Sequence, residues 1–365
     1  MRKLSKQNII DIIYGCTVLG TGGGGSLEGG LEIVERDFEE GKEFLLADID
    51  EIPEDAFVAV PYVCGSVSPM TEEELKEYEG LPSMDVTEAM RAFQAMEEYF
   101  GKPFYGIVAT ELGGENTADA LHVAAQLGKV FIDGDPAGRS VPELQHTTYY
   151  INDIPIEPMA VATPFGDTAI INNVVNDFRA EALVRAMAVV SKNMIGVVDH
   201  PTTKEQTKKA LIPGTITYAQ QIGQALREAN ENGLDPASAI AEIGGGKILF
   251  RGTVTGFSWD TVDGFTIGDF DLLGTENFEG DKYRVWFKNE HIISYLNDDV
   301  DVTVPDLICV LNKDGVPVTN PFYKEGEELV VIGLPSPKQW TTKRGLEVFG
   351  PRSFGFDIEY IPMKK

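Results

Sequence analysis

Residues 105–133 read YGIVATELGGENTADALHVAAQLGKVFID and carry the clearest structural pattern in the chain. Apolar runs over residues 105–110 and 130–133 flank a helical pattern over residues 118–127. Short apolar runs separated by an amphipathic helix are typical of parallel strands in a sheet that helices cover on both faces. This stretch therefore predicts a strand–helix–strand unit of an α/β domain.

The pattern continues on both sides of this unit with further helices and strands. Ser5 is placed to cap the first helix, whose apolar residues recur at helical spacing. The other predicted elements are helices over residues 27–40 and 86–99 and strands over residues 57–63, 159–163 and 168–172. We therefore predict an N-terminal α/β domain over residues 1–172 with a mostly parallel sheet.

Beyond residue 172 the pattern changes. Residues 173–243 are mainly helical, whereas residues 244–365 consist of short apolar runs separated by turn residues such as Asp263-Gly264. We predict that residues 173–365 form a C-terminal domain with a helical segment followed by a β-rich part. The predicted helices cover residues 179–191 and 218–230, and the predicted strands cover residues 248–255, 265–272, 283–287, 306–311, 329–332 and 356–361.

The charge balance limits the possible partners. The chain has 365 residues with 30 Lys and Arg against 58 Asp and Glu, which gives a formal net charge of −28. Such a chain repels nucleic-acid phosphates and anionic lipid headgroups, and no apolar run reaches the roughly 20 residues of a membrane span. Cys16, Cys64 and Cys309 are far apart and fit free thiols in a reducing compartment. We therefore expect a cytoplasmic protein that binds neither nucleic acid nor membrane.

The loops that follow the predicted strands are candidates for a site, because ligands of open parallel sheets bind beyond the carboxyl ends of the strands. Three such loops begin at Cys64, Glu111 and Gly134. Clustered carboxylates can bind a divalent metal ion, or raise one another's pKa so that one acts as a general acid or base. They can also cap helices and brace turns. The charged residues of these loops are Glu111, Glu115, Asp133, Asp135, Arg139 and Glu143.

The histidines and a glycine run leave several interpretations open. The four histidines lack the spacing of a zinc site; His122 fits a packing role, whereas His146 and His200 are candidate ligands. The glycine run of residues 22–25 lies between two helices and lacks the strand or lysine of nucleotide-binding loops. It is a phosphate cradle, a set of backbone donors for another polar ligand, or a tight turn.

Short sequence motifs are spread along most of the chain. They are LGTGGGG over residues 19–25, DGDPAGRSVPELQ over 133–145, LFRG over 249–252, FKNE over 287–290, PDLI over 305–308 and GPRSFGFD over 350–357. In this order they resemble the S-methyl-thiohydantoin desulfurase family, which is associated with hydantoinases and oxoprolinases. The resemblance implies an α/β part followed by a β-rich part, chemistry on five-membered cyclic ureides, and a related desulfhydrase activity that depends on metal.

The resemblance and the acidic loops together give a hypothesis for the site. A divalent metal ion, zinc first and otherwise cobalt or manganese, would activate a water molecule. Its ligands would be some of Asp133, Asp135, Glu143 and His146. Glu111 would act as base, Arg139 would hold a ring carbonyl, and Glu143 completes the catalytic set. The residues expected to bind substrate are Thr21, Gly22, Gly23, Gly24, Gly25, Ser66, Asn116, Asn289 and Glu290.

Three functions are compatible with this hypothesis. The favoured one is a metal-dependent hydrolase or desulfurase that acts on a thiohydantoin or S-methyl-thiohydantoin ring. The alternatives are a non-catalytic accessory subunit of a hydantoinase- or oxoprolinase-type system and an amidohydrolase that opens the ring. The expected partners are a small cyclic ureide, further copies of the chain in a homo-oligomer and, in the accessory case, a hydantoinase- or oxoprolinase-type protein.

Overall fold

Two large β-sheets form the framework of the computed structural model, which describes residues 1–65 and 72–363. The first sheet has eight strands, the second has seven, and two short strands pair separately. The strands are β1 (Arg2–Leu4), β2 (Phe44–Ala47), β3 (Phe57–Gly65), β4 (Gly106–Ile107), β5 (Val130–Ile132), β6 (Gly134–Asp135), β7 (Met159–Ala162), β8 (Thr168–Ile171), β9 (Met194–Thr203), β10 (Ile212–Pro213), β11 (Lys247–Val262), β12 (Phe265–Gly274), β13 (Lys282–Lys288), β14 (Glu290–Leu296), β15 (Asp299–Thr303), β16 (Leu307–Asn312) and β17 (Glu328–Leu334). The helices are α1 (Lys6–Leu19), α2 (Leu27–Glu39), α3 (Glu72–Lys76), α4 (Glu88–Phe100), α5 (Gly114–Leu127), α6 (Thr148–Ile151), α7 (Asp177–Val189), α8 (Lys204–Ala210), α9 (Thr215–Glu231), α10 (Pro236–Gly244) and α11 (Lys343–Phe349).

The first sheet is mixed. Its strand order is β1-β2-β5-β4-β3-β9-β7-β8. The strands β2, β5, β4 and β3 are parallel, whereas β1, β9, β7 and β8 join in antiparallel pairs. The prediction of a mostly parallel sheet is therefore only partly correct. One physical reason is that a short turn joins β7 to β8, and a short turn can only produce an antiparallel pair.

The strand–helix–strand unit predicted in residues 105–133 is present. β4 and β5 are parallel neighbours with Gly106 opposite Val130, and α5 connects them. The first helix also begins where the sequence predicts, because the Ser5 hydroxyl oxygen accepts the N–H of Asn8 at 3.1 Å. The local signals in this part of the chain thus agree with the observed elements.

Elements beyond the predicted boundary at residue 172 pack with the first sheet and its helices. A Cβ at Gly15 would lie 1.8 Å from the carbonyl oxygen of Ala219, so glycine is required where α1 and α9 cross. β9 pairs with β3 along its length. The helical segment after residue 172 thus contributes a strand and a helix to the first half of the molecule.

The second sheet is antiparallel with the order β15-β14-β13-β12-β11-β17-β16. β11 and β12 form the hairpin predicted at Asp263-Gly264. The predicted strand over residues 356–361 is wrong, because the backbone there is irregular. This segment is held instead by hydrogen bonds to the Asp306 carboxylate, from the Tyr360 hydroxyl at 3.0 Å and the Met363 N–H at 2.8 Å.

The structure bears on two predictions made from the whole sequence, free cysteines and the lack of a membrane span. The three cysteines are free, as expected. Among the helices in residues 1–65 and 72–363, none is both long and apolar enough to cross a membrane.

Candidate active site

Residues 20–26, here called the glycine loop, connect α1 to α2 and lie against side chains from both halves of the molecule. The backbone is left-handed at Gly24 (φ 76°), a conformation that glycine adopts without strain. A Cβ at Gly23 would lie 1.9 Å from Oε1 of Glu290, and a Cβ at Gly24 would lie 2.2 Å from Oγ of Ser140. The glycines therefore allow these two side chains to approach the backbone closely.

The glycine loop is a tight turn that also leaves backbone donors free. The N–H of Gly23 donates to the carbonyl of Gly20 at 2.9 Å and closes the turn. Among the described residues, no protein acceptor receives the N–H groups of Gly22, Gly24 or Gly25. The tight-turn interpretation therefore describes the loop, and the binding of a ligand by its N–H groups stays a prediction.

Glu111 follows β4 and is buried close to the glycine loop. Its Oε1 accepts a hydrogen bond from Nδ2 of Asn116 at 2.6 Å, and its Oε2 accepts the backbone N–H of Val141 at 2.8 Å. Burial raises the pKa of Glu111 to about 7; these hydrogen bonds oppose the rise and the charge of Asp135 adds to it. A carboxyl group that titrates near neutral pH can take up and return a proton during a reaction.

Glu290 is the first residue of β14 and is only 3% exposed. No group of the described residues donates a hydrogen bond to its Oε2. Burial raises the pKa of Glu290 well above its ordinary value, the charge of Glu111 raises it further, and the charge of Arg139 opposes the rise. Glu290 therefore keeps its proton to a higher pH than an exposed glutamate does, as does Glu111.

Arg139 is fully buried and connects the two halves of the molecule. Its hydrogen bonds run from Nε to the Ser140 carbonyl (3.0 Å), from Nη1 to the carbonyls of Pro305 (3.3 Å) and Asp306 (3.2 Å), and from Nη2 to Thr21 Oγ1 (2.7 Å) and the His291 carbonyl (3.1 Å). A guanidinium group has five N–H donors, so none is left to hold a ring carbonyl as the sequence hypothesis expects. Burial lowers the pKa of Arg139 to about 10, which still leaves it charged at neutral pH.

Asp133 and Asp135, two of the predicted metal ligands, brace the backbone. Asp133 accepts the N–H of Thr217 at 2.9 Å through Oδ1 and the Thr217 hydroxyl through Oδ2. The Asp135 carboxylate accepts the N–H groups of Ala137 at 2.9 Å and Gly138 at 2.8 Å. Each of these carboxylate oxygens has a donor within the chain, so both residues follow the turn-bracing alternative.

Glu143 and His146, the other two predicted ligands, lie at the side of the junction. Glu143 pairs with Lys288 and accepts a hydrogen bond from Nε2 of Gln145 at 2.7 Å. Burial raises the pKa of Glu143, but these two partners outweigh it and the pKa is lowered overall. His146 packs against Phe349, with 5.1 Å between ring centroids, and burial lowers its pKa to about 4.

The predicted ligands do not form a metal-binding cluster. Within residues 1–65 and 72–363, no group of three or more His, Cys, Asp or Glu side chains is arranged to hold a metal ion. Among the four ligands of the hypothesis, only His146 has a buried side-chain atom, Nδ1, without a hydrogen-bond partner among the described residues; Nε2 of the other candidate, His200, also lacks one. This donor set does not fit a resident ion, and the metal requirement stays a prediction.

The remaining predicted substrate-binding residues have different positions. Asn116 and Thr21 lie at the junction through the hydrogen bonds already described. Asn289 lies in the turn between β13 and β14 with a left-handed backbone (φ 57°), and its side-chain oxygen accepts the N–H of Thr266 at 2.8 Å, which joins this turn to β12. Ser66 lies outside the described residues.

His291 contributes a buried polar network that no sequence motif predicts. Its Nδ1 lies 2.8 Å from the carbonyl oxygen of Ile308, and its Nε2 lies 2.9 Å from the hydroxyl of Tyr323. A Cβ at Gly22 would lie only 2.7 Å from Nε2 of His291. The FKNE segment that precedes His291 is the one signal that could have drawn attention to it, since its partners come from distant parts of the chain.

The other two histidines pair with carboxylates elsewhere. Nδ1 of His122 lies 2.9 Å from Oδ1 of Asp37, and Nδ1 of His200 lies 2.8 Å from Oδ1 of Asp199. Neither pair belongs to a group of described residues arranged to hold a metal ion. His122 is thus hydrogen-bonded as well as packed, and the structure gives His200 no further ligands for a metal ion.

A cavity of about 600 Å³ lies outside this junction. Its lining includes Ile212, Tyr218, Pro337 and Gln339 and contains no carboxylate. It could accommodate a small molecule, and its titratable side chains are those of Tyr218 and Lys338. Because paired buried carboxyl groups are the better-suited acid–base groups, we place the candidate active site at Glu111 and Glu290 and not at this cavity.

The fold and the junction define a class of protein. An α/β half and an antiparallel β half meet where a glycine loop, a buried arginine and a pair of buried glutamates come together. Family models identify this class: the S-Me-THD-like N-terminal domain matches residues 7–173, and the S-Me-THD-like C-terminal domain matches residues 175–363. The chain therefore belongs to the S-Me-THD-like family, the family that its motifs resemble.

A solved structure has the same fold. It is the crystal structure of a protein from Chromobacterium violaceum, target CvR68 of the Northeast Structural Genomics Consortium, with a TM-score of 0.78 and 20% sequence identity over 100% of both chains. At this identity the likeness supports the fold alone. No curated protein matches the chain.

Proposed function

We propose that the chain is an enzyme that removes sulfur from a five-membered cyclic ureide of the thiohydantoin or S-methyl-thiohydantoin type. Family membership supports the substrate class. The observation that carries the chemistry is the pair of buried carboxyl groups: a Glu290 with a pKa raised well above its ordinary value and an Oε2 without a partner among the described residues, and a Glu111 with a pKa of about 7. In this proposal Glu290 is the general acid and Glu111 is the general base.

The reaction on an S-methyl-thiohydantoin begins with water addition to the ring carbon that bears the sulfur. Glu111 takes one proton of the water as the C–O bond forms, and Glu290 gives its proton to the nitrogen of the adjacent C=N bond. The C–S bond then breaks, Glu111 gives its proton to the sulfur, and methanethiol leaves. The second water proton passes to Glu290 as the C=O bond forms, so both carboxyl groups return to their starting states.

Other groups at the junction assist this pair without being consumed. The positive charge of Arg139 counteracts the rise in the Glu290 pKa, so it stabilises the carboxylate that forms when Glu290 gives up its proton. The free N–H groups of Gly22, Gly24 and Gly25 are available to an oxygen of the ring. A well-placed donor of this kind contributes about 3 kcal/mol to the stability of a transition state.

The experiment is a side-by-side assay of the purified protein on S-methyl-thiohydantoin, thiohydantoin and hydantoin. Release of thiol or sulfide is followed with a thiol-reactive dye, and ring opening is followed by chromatography. We expect thiol or sulfide release that falls by roughly 10²- to 10⁴-fold in Glu111→Gln and in Glu290→Gln, the usual contribution of a general acid or base. Glu98→Gln, a surface carboxylate paired with Arg91, is the matched control and should keep full activity.

Two results would contradict the proposal. Ring opening of hydantoin without sulfur release would favour the amidohydrolase alternative. No turnover of any ring would favour the accessory-subunit alternative. A supporting result also has a characteristic pH dependence, since kcat/KM should rise through about pH 7 as Glu111 ionises and fall again where Glu290 loses its proton.

A further inference from the structure

Two asparagines hold the glycine loop, one from each half of the molecule. Asn116 lies in the first turn of α5, and its backbone N–H donates to the carbonyl of Gly24 at 3.1 Å. Asn320 lies in the segment between β16 and β17, and its backbone N–H donates to the carbonyl of Gly22 at 2.8 Å. The glycine loop is thus held at two of its carbonyl groups.

The side chains of the same two asparagines extend toward the two buried carboxyl groups. Nδ2 of Asn116 donates to Oε1 of Glu111 at 2.6 Å. Nδ2 of Asn320 donates to the carbonyl of Asn289 at 2.6 Å, and Asn289 directly precedes Glu290. Each asparagine therefore connects the glycine loop to one carboxyl group, Asn116 directly and Asn320 through the adjacent backbone.

The contact with α5 also orients one of the free donors of the loop. Gly113, the residue before α5, has no side chain to cap the helix. The Gly24 carbonyl instead accepts the N–H groups of Glu115 and Asn116, each at 3.1 Å. Because a trans peptide unit is planar, its carbonyl and the N–H of the following residue point in opposite directions. Holding the Gly24 carbonyl therefore fixes the direction of the free N–H of Gly25.

The amide group of Asn320 is held in one orientation by its neighbours. Its oxygen accepts the hydroxyl of Tyr323, and its nitrogen faces the Asn289 carbonyl. A Cβ at Gly22 would lie only 2.4 Å from this nitrogen, so a side chain at residue 22 would displace it. The amide of Asn320 is therefore a fixed link between the second half of the molecule and the glycine loop.

The part of the loop between the two held carbonyls is the part that contacts Glu290. Gly23 lies between Gly22 and Gly24, and a Cβ at Gly23 would lie 1.9 Å from Oε1 of Glu290. A general acid and a general base act only within hydrogen-bond reach of the reacting atoms, and a displacement of about 1 Å can cost roughly 100-fold in rate. The links through the asparagines therefore bear on catalysis as well as on folding.

We propose that Asn116 and Asn320 are positioning residues, which fix Glu111 and Glu290 relative to the glycine loop. This inference rests on the proposed function, in which both carboxyl groups exchange protons with the substrate. The two asparagines differ in one respect that a measurement can resolve. Asn116 contacts a carboxyl group, whereas Asn320 contacts none among the described residues.

The experiment measures kcat, KM and the pH profile of the full chain on S-methyl-thiohydantoin for the wild type, Asn116→Leu and Asn320→Ala. We expect kcat to fall about 10-fold in both variants while KM changes by less than about two-fold, because the groups that react are displaced and the binding contacts are kept. Asn232→Ala is the matched control and should behave as the wild type. Asn232 is exposed at the end of α9, where its Nδ2 also donates to a carbonyl, that of Glu228, at 2.7 Å.

The pH profile should move in Asn116→Leu alone. A hydrogen bond to the ionised form of a carboxyl group favours that form, and the bond from Asn116 lowers the pKa of Glu111. Its loss should shift the rising limb of kcat/KM upward by roughly one pH unit, and Asn116→Gln, which keeps an amide donor, should shift it less. The charged and titratable groups that face Glu111 are Asp135, Arg139 and Glu290, and every variant keeps them.

The titration of Glu111 can also be measured without turnover, from the pH dependence of unfolding. The free energy of unfolding of each protein, minus that of its Glu111→Gln counterpart, changes with pH around the pKa of Glu111. The midpoint of this change should rise by the same roughly one pH unit in Asn116→Leu and stay in place in Asn320→Ala. A wild type that turns over no ring contradicts the proposed function, whereas a midpoint that stays in place in Asn116→Leu contradicts the present inference.

Three further outcomes with an active wild type would overturn the inference. One is an unchanged kcat in either variant. Another is a higher KM with an unchanged kcat, which would mean that the asparagine contacts the substrate. The third is an equal shift of the pH profile in both variants. Circular dichroism shows whether each variant is folded, and Asn320→Ser replaces Asn320→Ala if the latter is not, because its hydroxyl can still accept the Tyr323 hydroxyl but is too short to reach the Asn289 carbonyl.

Discussion

Two buried carboxylate pairs lie close together in this molecule and differ in what surrounds them. In the pair formed by Asp133 and Asp135, each oxygen accepts a hydrogen bond from a backbone N–H or a hydroxyl group of the chain. In the pair formed by Glu111 and Glu290, Oε2 of Glu290 has no donor among the described residues, and the charge of Glu111 raises the pKa of Glu290. Asp133, Asp135 and Glu111 each have a hydrogen-bond donor at both carboxylate oxygens, so Glu290 is the carboxyl group that sets the second pair apart.

The difference separates a structural role from a chemical one. A carboxylate whose oxygens are all occupied by the chain has little capacity left to bind a metal ion, although one with a pKa of about 7, such as Glu111, can still exchange a proton. A buried carboxyl group without a partner is costly for folding and is therefore a candidate for a group that acts on a substrate.

The first test concerns Arg139, whose donors are all used within the protein. Arg139→Lys keeps the charge but cannot reach five acceptors, so buried carbonyl groups lose their donors. We expect the free energy of unfolding to fall by about 3–5 kcal/mol, measured by urea denaturation. Arg91→Lys, which alters a surface arginine paired with Glu98, should change it by less than about 1 kcal/mol.

A loss of stability in Arg139→Lys would show that Arg139, like Asp133 and Asp135, has a structural role. If Arg139→Lys keeps its stability and loses only substrate binding, then Arg139 contacts the ligand and the assignment of its donors to the protein is wrong.

The second test uses the pH dependence of stability. The pKa of Glu111 is raised from 4.5 to about 7 in the folded protein. A raised carboxyl pKa means that its contribution to stability is full below about pH 4.5 and is lost as the pH rises through about 7. With about 1.4 kcal/mol for each unit of pKa shift, the loss is roughly 3 kcal/mol.

Glu111→Gln removes this titration. The free energy of unfolding of the wild type, minus that of the variant, should therefore fall by roughly 3 kcal/mol between pH 4.5 and pH 8. Glu98→Gln is the control and should give a constant difference. A constant difference for Glu111→Gln as well would mean that Glu111 is not a buried, neutral-pH carboxyl group.

Much of the fold follows from local sequence signals. Ser5 caps α1 as predicted, the unit of β4, α5 and β5 is present, and Asp263-Gly264 forms a hairpin turn. These features depend on residues that are close in sequence. The antiparallel pairing of β9 with β3 was not predictable in the same way, because it depends on residues that are more than a hundred positions apart.

The candidate site also has features that local sequence predicts and features that depend on residues distant in the chain. Glu111, Arg139 and Glu290 were identified from the chain, since loops after strands and conspicuous motifs contain them. Which carboxylates are occupied by donors could not be predicted, because the donors come from elsewhere: Thr217 lies 84 positions from Asp133, and Val141 lies 30 positions from Glu111. The metal hypothesis treated all acidic residues of one loop alike for this reason.

The smallest expected effect comes from exchanging a carboxylate for an amide in each pair. Asp135→Asn leaves one of the N–H groups of Ala137 and Gly138 facing an NH₂ group, so the free energy of unfolding should fall by about 2 kcal/mol. Glu290→Gln replaces a protonated group of similar shape that lacks a partner at Oε2, so stability should change by less than about 0.5 kcal/mol. Thermal and urea unfolding at pH 7 measure both variants. Equal losses of stability in the two variants would contradict this difference between the pairs. They would show that Glu290 contributes as much to the free energy of unfolding as Asp135 does.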